Sequence, residues 1–320
     1  LCIFKPTFEF SGMRVFSRVG IVGFILIAGL LCAQLGVAQP KPAAKPATKP
    51  STGAQQATAQ ARPQTQPAES QPNFDDDGTE GLQNESDDWI TFVRDIEAGN
   101  TAEIAARLEQ GSLRPTLRNG IKRTLLHQAV LMGKVDVVKM LLAQGVAVSV
   151  SDSLYGSTPL HEAARRGYAE ILELLLEADA RVAMRDKSGA TALHTAAGHG
   201  QAVAAKLLLD HAADVNARDQ GGVTSLHYAV SVGDVELARL LIERGAKVDA
   251  RTNESWDMAG DMTPLHLAAA AGDLALVSML IEAGADINAA NADGQTPMNL
   301  AAEGSYTEVV KLLKANGAKG

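Results

Sequence analysis

Five histidines are the residues of this 320-residue chain best suited to chemistry: His127, His161, His194, His227 and His266. Gathered together they would form a metal centre or an acid–base site, because imidazole ligates zinc and titrates near neutral pH. Their spacing denies both. Each stands fourth in a recurring phrase: Thr124-Leu-Leu-His127, Thr158-Pro-Leu-His161, Thr191-Ala-Leu-His194, Thr224-Ser-Leu-His227 and Thr263-Pro-Leu-His266. A worn sixth copy reads Thr296-Pro-Met-Asn299. The threonines are 34, 33, 33, 39 and 33 residues apart. A period near 33 describes stacked supersecondary units, with one imidazole in each. Successive rings then lie about one repeat apart and cannot converge on a tetrahedral ion. His161-Glu162 opens an H-E-x-x-H zinc string, but Arg165 stands where its second histidine must be. No G-x-S-x-G, Walker-type glycine loop or C-x-x-C occurs. The sequence therefore predicts no catalytic residues, no metal ligands, no cofactor and no enzyme activity.

The phrase itself is helix punctuation. Threonine is a favoured N-cap, and proline follows at the first helical position in three copies, where its missing N–H is harmless. A glycine nine residues after the threonine ends this first helix in five copies, Gly133, Gly167, Gly200, Gly233 and Gly272. A second helix follows, as in Ile171-Leu-Glu-Leu-Leu-Leu176, and stops 21 residues after the threonine at Gly145, Gly245, Gly284 and Gly317. Two repeats carry Asp179 and Ala212 at that second stop, and Ser305 replaces the first stop of the last repeat. A polar segment such as Asp214-Val-Asn-Ala-Arg-Asp-Gln-Gly-Gly222 then reads as a tight turn or hairpin. Neither short helix can bury its apolar face alone, so neighbours must stack into one continuous core.

Period and phrase together resemble the ankyrin repeat. The resemblance covers residues 88–320 and implies an all-α solenoid of helix-turn-helix units with hairpin loops. A half-degenerate unit at 88–121 is expected as the N-terminal cap. Six repeats are expected to start near residues 122, 156, 189, 222, 261 and 294, the last being the C-terminal cap. Each threonine–histidine pair (Thr124 with His127, Thr158 with His161, Thr191 with His194, Thr224 with His227, Thr263 with His266) is implied to brace its own turn. The resemblance also implies a monomeric, non-enzymatic module that binds a protein partner on a concave face of loops and first helices.

Residues off the repeat pattern are the candidates for that binding. On the first helices these are the basic pair Arg165 and Arg166 and the amphipathic ring of Tyr228. The 39-residue interval holds six extra residues, within Arg251-Thr-Asn-Glu-Ser-Trp-Asp-Met-Ala-Gly-Asp-Met262. Insertions in repeat arrays fall in loops, often on the binding face. Trp256, with Met258 and Met262, is expected to form a hot spot there, and Tyr155 offers a second exposed aromatic.

The N-terminal segment bears on location. Arg14 and Arg18 precede the apolar run Val19–Ala33, and Gly36-Val37-Ala38 closes it with small residues at the −3 and −1 positions. This is the pattern of a secretory signal with cleavage after Ala38, and Met13 is the expected start. The alternative is an uncleaved signal anchor, since Val19–Ala38 matches a membrane span. Residues 39–72 are Pro-, Ala-, Lys-, Gln- and Thr-rich, a semi-extended linker with a reach on the order of 100 Å. The linker, expected to be disordered through residue 87, ends in an acidic stretch. Residues 1–73 carry seven Lys/Arg and two Asp/Glu, so the remainder carries 22 against 35, a net charge of −13. Such an acidic array speaks against nucleic acid as the partner. Both cysteines, Cys2 and Cys32, precede the expected cleavage site, which leaves no thiol chemistry in the mature chain. The expected location is outside the inner membrane, periplasmic or secreted, in a bacterial envelope. The alternatives are an anchored scaffold facing outward and a secreted effector that binds host proteins.

Overall fold

The computed structural model describes residues 81–253 and 260–319. Fourteen helices alternate along these residues between an inner and an outer row. The inner row is α1 (Gly81–Ala98), α3 (Leu125–Leu131), α5 (Pro159–Arg166), α7 (Ala192–Gly198), α9 (Ser225–Ser231), α11 (Pro264–Ala271) and α13 (Pro297–Glu303). The outer row is α2 (Thr101–Glu109), α4 (Val135–Ala143), α6 (Ala169–Glu177), α8 (Ala202–Asp210), α10 (Val235–Glu243), α12 (Leu274–Glu282) and α14 (Thr307–Ala315). Each inner helix packs on its own outer helix and on the inner helices before and after it. The result is an all-α solenoid of stacked helix-turn-helix units.

The inner helices start where the threonines stand. All six N-caps, Thr124 through Thr296, form a reciprocal capping box with the third residue of the helix. The usual third residue of such a box is Glu or Gln. Here the side chain is imidazole in five boxes and Asn299 in the sixth. Backbone N–H groups orphaned at a helix start are thereby satisfied.

The outer helices stop at left-handed residues, as the sequence predicts. Asp179 and Ala212 both have φ of 61° there, and Ser305 has the same φ at its own stop. At Ala212 the turn is a complete Schellman motif. The Ala213 N–H donates to Leu208 O (3.0 Å) and the Ala212 N–H to Leu209 O (3.1 Å).

One hydrophobic cluster runs from Phe92 to Leu313 without a break. Its inner-helix layer is built from small residues: Ala163, Ala164, Ala196, Ala197, Ala268 and Ala269 are all fully buried. Small side chains let adjacent inner helices approach closely, while Leu and Val from the outer helices fill the space behind them.

The N-terminal unit begins earlier than the sequence reading places it. Helix α1 starts at Gly81, seven residues before Asp88, so residues 81–87 are helix rather than linker. Trp89, Phe92 and Ile96 recur at the i, i+3, i+7 positions of one helical face, and no glycine or proline interrupts residues 82–98. Phe92 and Ile96 are buried in the core, which anchors the whole helix.

Candidate functional site

The histidines tie one repeat to the next. In each of the five histidine boxes the N-cap threonine N–H donates to the histidine Nδ1, at 3.1–3.3 Å. A nitrogen that accepts carries no proton, so the ring is the neutral tautomer with its proton on Nε2. That Nε2–H donates to a backbone carbonyl of the following repeat: Ser157, Ala190, Val223, Met262 and Gln295, at 3.1–3.2 Å. Each of those residues immediately precedes the next N-cap threonine. Burial pushes all five imidazoles below their usual pKa, His227 to about 4. Their nitrogens are fully engaged in holding the scaffold. Among the described residues no group of His, Cys, Asp or Glu is arranged to hold a metal ion.

Between the outer helix of one unit and the inner helix of the next, the chain turns through a hairpin. Neighbouring hairpin tips are stitched by backbone bonds: Ser153 N–H to Ile121 O, Lys187 N–H to Tyr155 O, Gln220 N–H to Ser188 O and Asn253 N–H to Gly221 O, at 2.7–3.0 Å. Ala292 N–H to Gly260 O, at 3.0 Å, continues the series. Every one of these pairs is 32 residues apart. Three arginines add a second set of rungs from side chain to main chain. Arg185 donates to Arg218 O, Arg218 to Arg251 O, and Arg251 to Ala290 O, at 2.6–2.9 Å. Sequence reasoning missed this ladder, although the 33-residue spacing of Arg185, Arg218 and Arg251 is its visible signal.

The insertion lies wholly within one hairpin. In the preceding unit the stem closes with Asp219 N–H to Val223 O, four residues apart. In the inserted unit it closes with Thr252 N–H to Met262 O at 3.0 Å, ten residues apart. The six extra residues therefore fall in sequence between the two residues that close the stem. Asn253 still pairs with the unit before, and Gly260 still pairs with the unit after. Trp256 and Met258 lie outside the described residues.

Met262 does not join an exposed hot spot. It is 5 % exposed and sits directly before Thr263, where its carbonyl receives the His227 Nε2–H. The position is fixed by the stem of the hairpin, so its side chain turns into the stack rather than onto the loop. Tyr155 is half-buried at a hairpin tip, its N–H donating to Asp152 Oδ1 at 2.7 Å. Tyr228 is also half-buried. Its hydroxyl donates to Asp219 Oδ2 at 2.8 Å, and its ring meets His194 edge-on at 5.9 Å. Burial, reinforced by the Asp219 carboxylate, raises its pKa. Arg165 and Arg166 project from α5, but both bind the Glu162 carboxylate between them, which offsets one of the two charges.

Capped helix pairs, a cross-repeat imidazole bond and a laddered hairpin row define a repeat solenoid whose repeated polar groups serve the scaffold. Ankyrin repeats (3 copies) match residues 96–186, 179–252 and 253–320. The chain belongs to the ankyrin-repeat family, a protein-interaction type of array. Part of it is similar to cyclin-dependent kinase inhibitor 2A of Homo sapiens, at 34% identity over 104 residues, or 32% of this chain and 64% of that protein. The same inhibitor of Monodelphis domestica is 32% identical over 110 residues, 33% of this chain and 63% of that protein. The poly [ADP-ribose] polymerase tankyrase of Caenorhabditis elegans is 34% identical over 96 residues, 29% of this chain but only 4% of that protein. The chain thus spans less than two thirds of the length of these relatives. A kinase inhibitor and a polymerase each resemble part of this array, so the likeness speaks for the fold and not for a shared function.

Proposed function

We propose that the protein is an exported recognition module that docks a protein partner on its concave and hairpin-tip face and performs no chemistry of its own. One observation carries the reading. The six extra residues between Thr252 and Met262 enlarge a single hairpin tip while the 32-residue ladder on both sides is kept. A scaffold that holds its frame around one enlarged loop is suited to presenting that loop, with Trp256 as its aromatic anchor. Tyr155 and the Arg165–Arg166 pair extend the same face, and the acidic balance of the array disfavours nucleic acid. The signal-like segment ending at Ala38 and the Pro-rich linker after it support export, and on this reading the repeats work in a bacterial periplasm or outside the cell.

Crosslinking in the native envelope followed by affinity capture tests the binding. A partner should be captured by the parent chain and lost, or weakened by more than about 2 kcal/mol, in Trp256→Ala. No specific crosslink from the parent chain overturns the proposal. Mass spectrometry of the mature N-terminus tests export: Gln39 at the terminus is the expected result. The length of Val19–Ala38 favours one second reading, an uncleaved anchor holding the array outside the inner membrane. Recovery of an intact N-terminus in the membrane fraction would select it. Among the described residues no helix is long and apolar enough to cross a membrane, so an anchor could come only from outside them.

A further inference from the structure

Charge is unevenly spread along the hairpin row. The first three hairpin segments, 112–123, 146–157 and 178–190, hold seven Lys/Arg against three Asp/Glu. The last three, 211–223, 244–262 and 283–295, hold four against eight. An array that is acidic as a whole therefore carries a cationic end on this one row.

Two of the three carboxylates at the cationic end, Asp152 and Asp186, are occupied internally, while Asp179 is exposed at its helix stop. Asp152 is 3 % exposed, pairs with Arg123 at 3.1 Å and accepts the Tyr155 and Gly156 N–H groups. Asp186 Oδ1 accepts from the Ser188 N–H, the Ser188 hydroxyl and the Ala190 N–H. Arg118, Lys122 and Lys187 are all exposed, with the Lys187 Nζ also donating to Ser153 O of the neighbouring tip at 2.5 Å.

Backbone geometry sets these groups side by side. The Ser153–Ile121 and Lys187–Tyr155 bonds, both 2.8 Å, align three successive tips. Lys122, then Leu154 and Tyr155, then Lys187 follow one another across them. Leu154 is 41 % exposed, and the Tyr155 ring is half-buried beside it. Two cations thus bracket an apolar spot on loops already fixed by hydrogen bonds, so little ordering entropy is lost on binding. Units packed about 10 Å apart place the outer two tips roughly 20 Å apart, about six residues of extended chain.

We infer that the tips of the first three hairpins, around Lys122, Tyr155 and Lys187, bind an acidic peptide segment of the partner protein that carries an apolar side chain between its carboxylates. This rests on the interaction-module reading and names the chemistry of one part of that partner. Lysines steer the acidic strand and set its position, and Leu154 with Tyr155 covers its apolar residue.

The test uses the full chain and a fluorescein-labelled peptide of six glutamates around a central leucine, followed by anisotropy at low salt. The parent should bind, and affinity should fall as salt is raised. The charge reversal K122E/K187E should weaken binding by about tenfold or more. Arg239→Glu, an equal change per residue on the exposed face of α10, should leave it within about twofold. Melting of each variant is measured alongside. If K122E/K187E melts below the parent, Lys122→Ala with Lys187→Gln replaces it, with the same loss expected.

Equal weakening by Arg239→Glu would reduce the effect to net charge and overturn the inference. So would equal affinity for a single-stranded oligonucleotide of matched charge. Binding that emerges only when Asp75, Asp76 and Asp77 are changed to Asn would assign the tips to the chain's own acidic run, overturning the partner assignment. Envelope crosslinks that persist in K122E/K187E overturn this inference and leave the interaction-module reading standing. Absence of crosslinks from the parent chain strikes that wider reading instead.

Discussion

The Nε2 atom of His161 lies 3.2 Å from the carbonyl oxygen of Ala190, the residue just before the next N-cap threonine. The same ring takes the Thr158 N–H on its other nitrogen. One side chain therefore closes a helix start in its own repeat and holds the chain entering the next.

The two roles can be separated by substitution. Asn299 already shows that asparagine completes the capping box, with Thr296 N–H to Asn299 Oδ1 at 2.9 Å. It stands in the sixth copy of the phrase, where no Nε2–H is available to reach onward. His161→Asn should keep the box and lose the bond to Ala190, lowering stability by about 1–2 kcal/mol. His161→Ala loses both and should cost about 2–4 kcal/mol. Urea denaturation of the two variants checks the order, and equal losses would place all of the effect in the cap.

The imidazole ladder makes stability depend on pH in a defined direction. The folded pKa values lie below the ordinary value of 6.5, chiefly because of burial. A depressed folded value means the unfolded chain binds protons more readily. The contribution is therefore complete above pH 6.5 and is lost as pH falls toward the folded values. For His227, with a folded pKa of about 4, the loss by pH 4 is about 3 kcal/mol. Thermal midpoints should fall steeply from pH 6.5 to 4 and stay flat from 7 to 8. In His227→Asn the acid-side slope should be shallower than in the parent.

Ala212 holds a left-handed conformation, with φ of 61°, that four sister repeats assign to glycine. A β-carbon in that region costs about 1–2 kcal/mol, and glycine gives back part of the gain through a more flexible unfolded chain. Ala212→Gly should raise the thermal midpoint by a net of about 0.5–1 kcal/mol in stability. An unchanged or lower midpoint would refute the strain.

Ser225 occupies the first position of α9, where three sister helices have proline. Its hydroxyl is buried without a hydrogen-bond partner among the described residues. Thr224 before it has φ −104° and ψ 167°, the extended conformation that precedes proline. Ser225→Pro removes the unpaired hydroxyl and pre-sets the helix start, and should stabilise by about 1 kcal/mol. Calorimetry of the single variant measures it.

Backbone geometry was the most legible part of the sequence. A threonine 33 residues from the last one can cap only the equivalent turn, so the threonine N-caps and the helix stops at Asp179, Ala212 and Ser305 follow from spacing, while the histidine's part in each box came with the family resemblance. Side-chain fate at the edges of irregular segments was less legible. Met262 reads as part of an insertion, yet the hairpin stem closes at that residue, and the stem decides which way it faces. Tyr228 reads as an interface ring, while its hydroxyl is bound by Asp219, nine residues earlier, a contact that exists only once the hairpin folds back on α9. The helix from Gly81 was obscured by a polar composition that gives little sign of order until Trp89, Phe92 and Ile96 provide a face to bury.

The 32-residue tip ladder has a consequence for change over time. Asn253 and Gly260 keep their partners although the loop joining them has lengthened. Length and composition at that point are thus uncoupled from the pitch of the stack, and a new loop can be tried without re-solving the core. The Thr252–Met262 stem works as a graft junction: binding preference can drift there at nearly constant stability, and foreign hairpins inserted at the same junction should inherit a rigid mount.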